Sequence, residues 1–203
     1  MKIDYEKLRE AQVLRLGKGK KLLLHACCAP CSTACLERLV PDFTTTVFFY
    51  NPNMDTEEEY IKRAEEERRF LKEAYGGAVG FIEEDYGNAD FCRIAVGEEN
   101  APEGGSRCLK CFDLRLSRTA KFAAENAFDC ITTTLTVSPY KNAPLLNEIG
   151  ERVAKEYGVE WIYCDFKKKN GFLRSTELSE KYGLYRQNYC GCIYSKNRLE
   201  DAE

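Results

Sequence analysis

Residues 21–32 read KLLLHACCAPCS, and the interpretation of the whole chain starts from this stretch. Its apolar first half is typical of a buried strand, and residues 33–40 predict a helix. Cys27, Cys28 and Cys31 therefore lie where a strand passes into a helix N-terminus. The unpaired N–H groups and partial positive charge of that position favour thiolate over thiol. The stretch predicts one wall of a metal or redox site.

The composition indicates an ordinary globular chain. Its 203 residues are enough for one domain with a normal core. No segment reaches the roughly 18 apolar residues of a membrane helix. The first residues, MKIDYE, lack the apolar region of a signal peptide. We therefore predict a cytoplasmic protein without a membrane partner.

The chain contains 11 cysteines, and their meaning depends on the compartment. In reducing cytosol, clustered cysteines hold metal or perform chemistry more often than they form disulfides. Cysteines that stand alone in apolar or helical text are expected to be small buried hydrophobes. This interpretation applies to Cys35, Cys92, Cys130 and Cys164.

Strand-like and helix-like segments alternate along the chain. Strands are predicted near residues 22–24, 44–50, 78–83, 130–134 and 160–164, with helices between them. This alternation predicts an α/β fold with a doubly wound, mostly parallel, five-stranded Rossmann-like sheet. We predict a single domain, residues 1–203, with an N-terminal helix in residues 1–20. Residues 165–203 are predicted to form a basic, cysteine-rich helical extension packed on the site.

Polar motifs follow four of the five predicted strands, and the carboxyl ends of parallel strands share one edge of the sheet. Open α/β sheets bind their ligands at that edge. One site assembled from several loops is therefore predicted there. The residues predicted to contact substrate are Asn51, Asn53, Ser138, Tyr140, Lys141 and, from the later basic stretch, Tyr185.

Seven clustered cysteines are the candidate metal ligands: Cys27, Cys28, Cys31, Cys108, Cys111, Cys190 and Cys192. Two Cys-x-x-Cys hooks are enough for a four-thiolate zinc site, which leaves three of the seven unused. An iron–sulfur cluster beside a second metal accounts for more of them. A thioredoxin-type dithiol at Cys28 and Cys31 is a further alternative, although it needs none of the downstream pairs.

Two titratable residues are candidate acids. His25, the sole histidine, stands two positions before Cys27 and is either a hydrogen-bonded core residue or a proton donor. Asp165 is predicted at the end of the last strand, where it could ligate iron, act as a general acid or cap a helix.

Charge is unevenly distributed despite a net charge of only −3. Residues 55–85 carry eleven acidic and five basic side chains, whereas residues 165–200 carry eight basic and four acidic ones. Tyrosines punctuate this basic stretch, a pattern that suits stacking on unpaired bases with phosphates nearby. A solvated charged surface and ordinary core packing are the alternatives.

Six motifs in order resemble those of the QueH family of cobalamin-independent epoxyqueuosine reductases. They are HACCAPCS at residues 25–32, YNPN at 50–53, RCLKC at 107–111, LTVSPYK at 135–141, DFKK at 165–168 and LYRQNYCGC at 184–192. The resemblance spans about residues 21–198. It implies reduction of the cyclopentane epoxide of epoxyqueuosine at the wobble position of tRNA with a GUN anticodon.

The resemblance also implies a [4Fe–4S] cluster with an adjacent mononuclear iron and an external electron donor. The basic C-terminal stretch then becomes the expected tRNA contact, through Lys167, Lys168, Lys169, Arg174 and Arg186. Two other classes stay open from the residues themselves. One is a zinc or dithiol module on the same sheet; the other is an ATP-using tRNA-thiolating enzyme. The glycine-poor stretch CCAPC argues against the latter, since it cannot cradle phosphate closely.

Overall fold

The computed structural model of the protein describes residues 3–200, with side chains to residue 197. Residues 1–2 and 201–203 of the predicted domain lie outside that range. None of the helices within it is both long and apolar enough to cross a membrane.

Five parallel strands form one sheet in the order β3-β2-β1-β4-β5. The strands are β1 Lys20–Ala26, β2 Phe43–Phe49, β3 Gly80–Glu83, β4 Cys130–Thr133 and β5 Glu160–Trp161. The predicted α/β class and doubly wound parallel sheet are confirmed. The last strand is shorter than predicted, although the amide of Ile162 still donates to Ile131 at 2.9 Å.

Helices fill the connections between strands. They are α1 Tyr5–Leu16, α2 Ala29–Leu39, α3 Glu57–Tyr75, α4 Ala89–Ala95, α5 Ser106–Glu125, α6 Ala143–Tyr157, α7 Gly171–Lys181 and α8 Ile193–Glu200. A 3₁₀ turn, Thr134–Val137, continues directly from β4. Helix α2 packs against α3 and α7, and α5 packs against α4 and α6. The sheet therefore has helices on both faces, as right-handed crossovers require.

The central strand is buried on both faces. Leu22, Leu23 and Leu24 are each fully buried, although successive side chains point to opposite sides of a sheet. A continuous apolar run of this kind is typical of a parallel strand covered by helices on both faces. The core thus anchors β1 along its length and fixes where it ends, at Ala26.

Helix α2 begins four residues earlier than predicted, at Ala29. Cys28 is its N-cap, with extended backbone angles, and Pro30 occupies the first turn. Proline is well suited there because its missing N–H would be unpaired anyway. Cys31 therefore belongs to the first turn of the helix, close to Cys28.

The C-terminal segment returns to the carboxyl edge of the sheet. Helix α7 packs against α2, and the loop before α8 is tied to the β2–α3 loop. The amide of Asp55 donates to Gly191 at 3.0 Å, and the Lys196 ammonium lies 3.0 Å from the Asp55 carboxylate. These contacts bring the Cys190–Cys192 segment over the edge where β1 and β2 end.

Helix α6 contacts β5 through a glycine. A Cβ built on Gly150 would lie 2.4 Å from the Trp161 ring, which is held by a 3.0 Å hydrogen bond from its Nε1 to Asn147. The ring therefore has little room to move away from the helix.

We expect Gly150→Ala to destabilise the fold. Alanine favours a helix over glycine by about 1 kcal/mol, but overpacking costs about 1–3 kcal/mol, so the clash with Trp161 outweighs the gain. Urea unfolding followed by circular dichroism should show a lower midpoint than wild type. Gly87→Ala, where an added Cβ meets nothing within 4 Å, is the matched control. Equal midpoints for the two variants would contradict this account of the α6–β5 contact.

Candidate metal centre

The candidate centre lies at the carboxyl ends of β1 and β4. The strand order reverses there, because the chain leaves β1 toward β2 and later returns to the other side of β1 as β4. Such a switch point is where open α/β sheets bind ligands. Cys27, the first residue after β1, meets the 3₁₀ turn after β4: its Sγ lies 3.6 Å from Thr134 Oγ1.

Three cysteine sulfurs converge at this point. The Sγ atoms of Cys27, Cys28 and Cys31 all lie within 4.8 Å of one another, a spacing that allows them to hold one metal ion. The Cys28 and Cys31 sulfurs are 3.0 Å apart, and those of Cys27 and Cys28 are 3.8 Å apart. Among the described residues, this triad is the one group of three such ligands that meets that spacing.

The three thiols of the triad do not titrate alike. Hydrogen bonds from Cys28 and Cys31 lower the pKa of Cys27 well below that of an ordinary thiol. The hydrogen bond with Cys27 raises the pKa of Cys28 to about 12, and the pKa of Cys31 is raised for the same reason. One thiolate is therefore held by two thiols, and a bound metal would replace their protons.

Two cavities meet beside the triad. The triad cavity, about 540 Å³, is lined by Cys27, Cys28 and Cys31. The small cavity, about 80 Å³, is lined by Cys108, Cys111 and Cys192. Four residues line both: Glu103, Tyr140, Lys141 and Cys190. All seven cysteines singled out in the sequence thus line these two adjoining cavities.

Four cationic side chains line the triad cavity: Arg63, Arg115, Lys141 and Arg186. Two of them are buried arginines that the sequence reasoning missed. Arg63, on α3, and Arg115, on α5, line the triad cavity with Lys141 and are only 2 % and 1 % exposed. Arg115 could have been found, because it stands four residues after Cys111 and thus on the same helix face. Arg63 carries no such signal within the strongly charged α3.

His25 lies beneath the triad cavity and is fully buried. Its Nδ1 is 2.9 Å from Thr133 Oγ1, and its Nε2 is 3.3 Å from the Arg115 Nε and 3.2 Å from the Tyr50 carbonyl oxygen. Burial and the adjacent Arg115 charge lower the pKa of His25 to about 3. The ring is therefore neutral and stays among these partners.

The two asparagines of the β2–α3 loop have different surroundings. Asn51 donates to the Ala26 carbonyl at 2.9 Å and accepts a hydrogen bond from Arg115. Asn53 is 2 % exposed and lines the small cavity. Within the described part of the chain, neither polar atom of its amide has a hydrogen-bond partner. Asn53 can thus hydrogen-bond a group in the small cavity, whereas the amide of Asn51 is already hydrogen-bonded within the protein.

Other residues predicted to contact substrate also differ in whether they line a cavity. Tyr140 is 86 % exposed at the rim that the two cavities share, and Ser138 accepts from its amide at 3.3 Å. Tyr185 packs elsewhere: its ring lies under the Lys62 ammonium and its amide donates to Glu66. Its neighbour Tyr189, with Arg186, lines the triad cavity instead.

The remaining predicted basic residues lie outside the triad cavity. Lys167, Lys168 and Lys169 line an open groove of about 880 Å³ with Asp165, and Lys141 separates this lysine groove from the triad cavity. The Lys167 ammonium is 2.8 Å from Asp165, and Lys169 pairs with Glu6 and Glu10.

Arg174 is exposed on α7 and pairs with Glu37 and Glu177. The structure therefore brings Lys141 and Arg186 to the cysteines, and it places Asp165 with the lysines.

A buried carboxyl group is hydrogen-bonded to Ser32, the residue that follows the triad. Glu67, on α3, is fully buried, and Ser32 donates to its Oε2 at 3.0 Å. Burial raises the pKa of Glu67 to about 8, so this side chain is largely neutral at physiological pH. Sequence reasoning missed it, because nothing distinguishes Glu67 from the other acidic residues of α3.

A parallel α/β sheet with a cysteine triad at its switch point, spaced so that it could hold a metal ion, defines the class of this protein. The sequence model of the family described as "Epoxyqueuosine reductase QueH" matches residues 22–198. A Streptococcus pyogenes serotype M1 protein of that name is 41 % identical over 201 residues, or 96 % of this chain and 78 % of its own length.

Two further proteins called "Epoxyqueuosine reductase QueH" are similar. The one from Staphylococcus epidermidis is 41 % identical over 202 residues, 96 % of this chain and 85 % of its own. The one from Thermotoga maritima is 33 % identical over 195 residues, 90 % of this chain and 94 % of its own. The chain belongs to the QueH family of epoxyqueuosine reductases, which confirms the resemblance found in the sequence.

The buried Glu67 predicts a pH-dependent stability. Its pKa in the folded protein, about 8, is above its ordinary value of 4.5, so the unfolded chain loses this proton first as pH rises. Stability from this group is complete below pH 4.5 and is lost up to about pH 8, at no more than about 1.4 kcal/mol per pH unit.

Urea unfolding of metal-free protein between pH 5 and pH 8 measures this loss as the difference in slope between wild type and Glu67→Gln. The depressed pKa values of His25 and Cys27 make stability rise with pH in both proteins, so the variant, which lacks the Glu67 contribution, should have the more positive slope. Glu66→Gln, at the neighbouring position, should retain the wild-type slope. Identical slopes in wild type and Glu67→Gln would show that Glu67 is not the group responsible.

Proposed function

We propose that this protein is an oxidoreductase that reduces epoxyqueuosine in tRNA to queuosine. The observation that carries the proposal is the cysteine triad at the switch point of a chain that belongs to the QueH family. A tRNA substrate implies that the reaction takes place in the cytoplasm, which is also the compartment expected from the sequence.

The donor set fits an iron–sulfur cofactor. Seven cysteines line two adjoining cavities, and the four cations of the triad cavity can offset the charge of thiolates. Thiolates are the usual ligands of iron–sulfur clusters. We propose that these seven residues hold a [4Fe–4S] cluster and a mononuclear iron, which supply single electrons received from an external donor. Cys190 lines both cavities and is thus suited to join the two parts of the centre.

The reaction requires two electrons and two protons. Both carbon–oxygen bonds of the epoxide break, an alkene forms and the oxygen leaves as water. The triad cavity, about 540 Å³, is large enough for the modified ring of one nucleoside. We propose that Arg186 and Tyr189 position that ring, and that Asn53 donates a hydrogen bond from the small cavity.

Lys141 is the cation best placed to reach the departing oxygen. Burial lowers its pKa, but attraction to the surrounding cysteine sulfurs outweighs burial and raises the pKa, so the side chain stays an ammonium. We propose that Lys141 hydrogen-bonds the epoxide oxygen. Asp165, which lies across Lys141 in the lysine groove, remains a candidate source of protons. His25 is proposed to act by holding Arg115.

The tRNA is proposed to lie across the cavity rim and the lysine groove. Lys167, Lys168 and Lys169 would face phosphates on one side, with Arg174 and Arg186 on the other, and the GUN anticodon would enter between them. Tyr140 projects into solvent at the rim, where an aromatic ring can stack on an adjacent base. Tyr185, beneath Lys62, supports the α3 side of this surface.

The proposed activity predicts a specific metal and product. After anaerobic reconstitution, the protein should contain several irons and sulfides per chain and convert epoxyqueuosine-bearing tRNA to queuosine-bearing tRNA with dithionite as reductant. Nucleoside mass analysis measures the conversion. We expect Cys28→Ala and Cys31→Ala to lose iron and to reduce conversion by at least about 100-fold, because both lie in the ligand triad.

Cys92→Ala is the control, since Cys92 is exposed and lies outside both cavities. It should retain wild-type iron content and conversion. Colourless protein with one zinc per chain and no conversion would instead support the zinc module considered from the sequence.

The position of Tyr140 predicts a defect in substrate binding alone. Tyr140→Ala should raise KM for tRNA about tenfold, because stacking on a base contributes about 1–3 kcal/mol, and should leave kcat unchanged. Tyr140→Phe keeps the ring and should behave as wild type. A steady-state comparison with full-length tRNA checks both variants. An unchanged KM in Tyr140→Ala would exclude stacking at this position.

A further inference from the structure

Arg115 is a buried cation held by two neutral side chains at the sheet edge and by the sulfur of Cys111. Its side chain is 1 % exposed in the middle of the site. Its Nε lies 3.3 Å from the neutral His25 ring, and a terminal nitrogen donates to the Asn51 amide oxygen. Among residues 3–197, Arg115 forms no salt bridge with an N···O distance of 4.0 Å or less, although Glu103 lines the same cavity.

A charge in this position is costly without an anion nearby. Moving an ion out of water costs several kcal/mol even after the protein relaxes. Two other buried arginines meet the usual condition: Arg63 lies 2.6 Å from Glu59, and Arg9 pairs with Glu6 and Asp42. A third, Arg107, donates instead to the backbone carbonyls of Glu98 and Glu99. Arg115 differs, so the anion that balances it must come from another kind of group.

The groups that face Arg115 include sulfurs. Arg115 lines the triad cavity with Cys27 and Cys190, and its side chain hydrogen-bonds Cys111. Burial lowers the pKa of Arg115, but attraction to these sulfurs outweighs burial and raises it. These three cysteines belong to the three separate cysteine motifs of the chain. Arg115 thus lies at the point where all three motifs meet.

Helix α5 explains how the guanidinium is aimed there. Cys111 and Arg115 are four residues apart on one face of α5, and His25 on β1 and Asn51 after β2 hold the guanidinium from the side of the sheet. Helix α5, strand β1 and the residues after β2 all belong to the buried core, so the guanidinium cannot rotate into solvent.

We infer that Arg115 is the fixed counter-charge of the metal–thiolate centre and that it raises the centre's reduction potential. A centre with several thiolates is anionic, and accepting an electron makes it more so. A permanent cation at its edge stabilises the reduced form more than the oxidised form. Lys141 adds to this effect from the opposite wall, while Glu59 neutralises most of the Arg63 charge.

This inference rests on the proposed function for the presence of a redox centre, and the reduction potential tests it without any substrate. The one-electron potential of reconstituted protein is measured with redox mediators, with the reduced signal followed by electron paramagnetic resonance. Arg115→Gln should shift the potential to more negative values by at least about 59 mV, which is a tenfold change in the one-electron equilibrium. Arg115→Lys keeps the charge and should shift it less.

Arg118→Gln is the matched control on the same helix. Arg118 is balanced by Glu84, whose carboxylate it contacts through two nitrogens. Its removal should leave the potential within error of wild type. Circular dichroism of each variant establishes that it is folded. Should Arg115→Gln fail to fold, Lys141→Met, from the cavity wall, is expected to shift the potential in the same direction.

Three results would overturn the inference. The first is an unchanged potential in folded Arg115→Gln, or in Lys141→Met where Arg115→Gln does not fold. The second is an equal shift in Arg115→Lys and Arg115→Gln, which would indicate a hydrogen-bonding role rather than a charge effect. The third is wild-type protein that binds no iron and sulfide, a result that also removes the proposed cofactor. With iron bound and epoxyqueuosine converted, the first two results contradict the inference alone.

Discussion

The parallel pairing of β1 with β2 on one side and β4 on the other determines where the chemistry of this protein lies. Its register sets Ala26 opposite Phe49 and His25 opposite Thr133, so the loops after these strands begin at the same level. Asn51 then reaches the Ala26 carbonyl, and Cys27 reaches Thr134. Since β1 is buried on both faces, Cys27 directly follows the most rigid part of the fold.

This rigidity has a consequence for the cofactor. Cys27 and Cys28 follow the central strand directly, and Cys31 is held in the first turn of α2. The other four cysteines lie on α5 and in the loop before α8, which the Asp55 contacts fasten to the sheet edge. A centre bound by both groups would link the core to the C-terminal segment, so binding and folding of that segment are coupled.

The fold could be predicted because strand and helix patterns depend on local sequence, and the parallel sheet follows from their alternation. Predicted strand ends also pointed to one edge of the sheet for Cys27, Cys28, Cys31 and Asn53, and these residues line the two adjoining cavities. The contacts of individual side chains could not be predicted from the sequence. Arg63 and Glu67 are buried, yet they look like other charged residues of α3, and periodicity gives the face of a helix but not its partner. Tyr185 and Tyr189 lie in irregular chain between α7 and α8, where spacing cannot decide which one lines the cavity.

Two buried groups near the triad, Glu67 and Arg115, avoid an unbalanced buried charge in different ways. Glu67, with no cation to balance it, remains protonated and adds no negative charge beside the thiolates. Arg115 cannot lose its proton, so it requires a nearby anion, and the neighbouring cysteine sulfurs provide it. Cations therefore outnumber carboxylates around the sulfurs, and Glu103 is the one carboxylate among the described residues that line either cavity. That arrangement favours a centre able to accept electrons, and a substrate whose phosphates remain outside, on the lysine side.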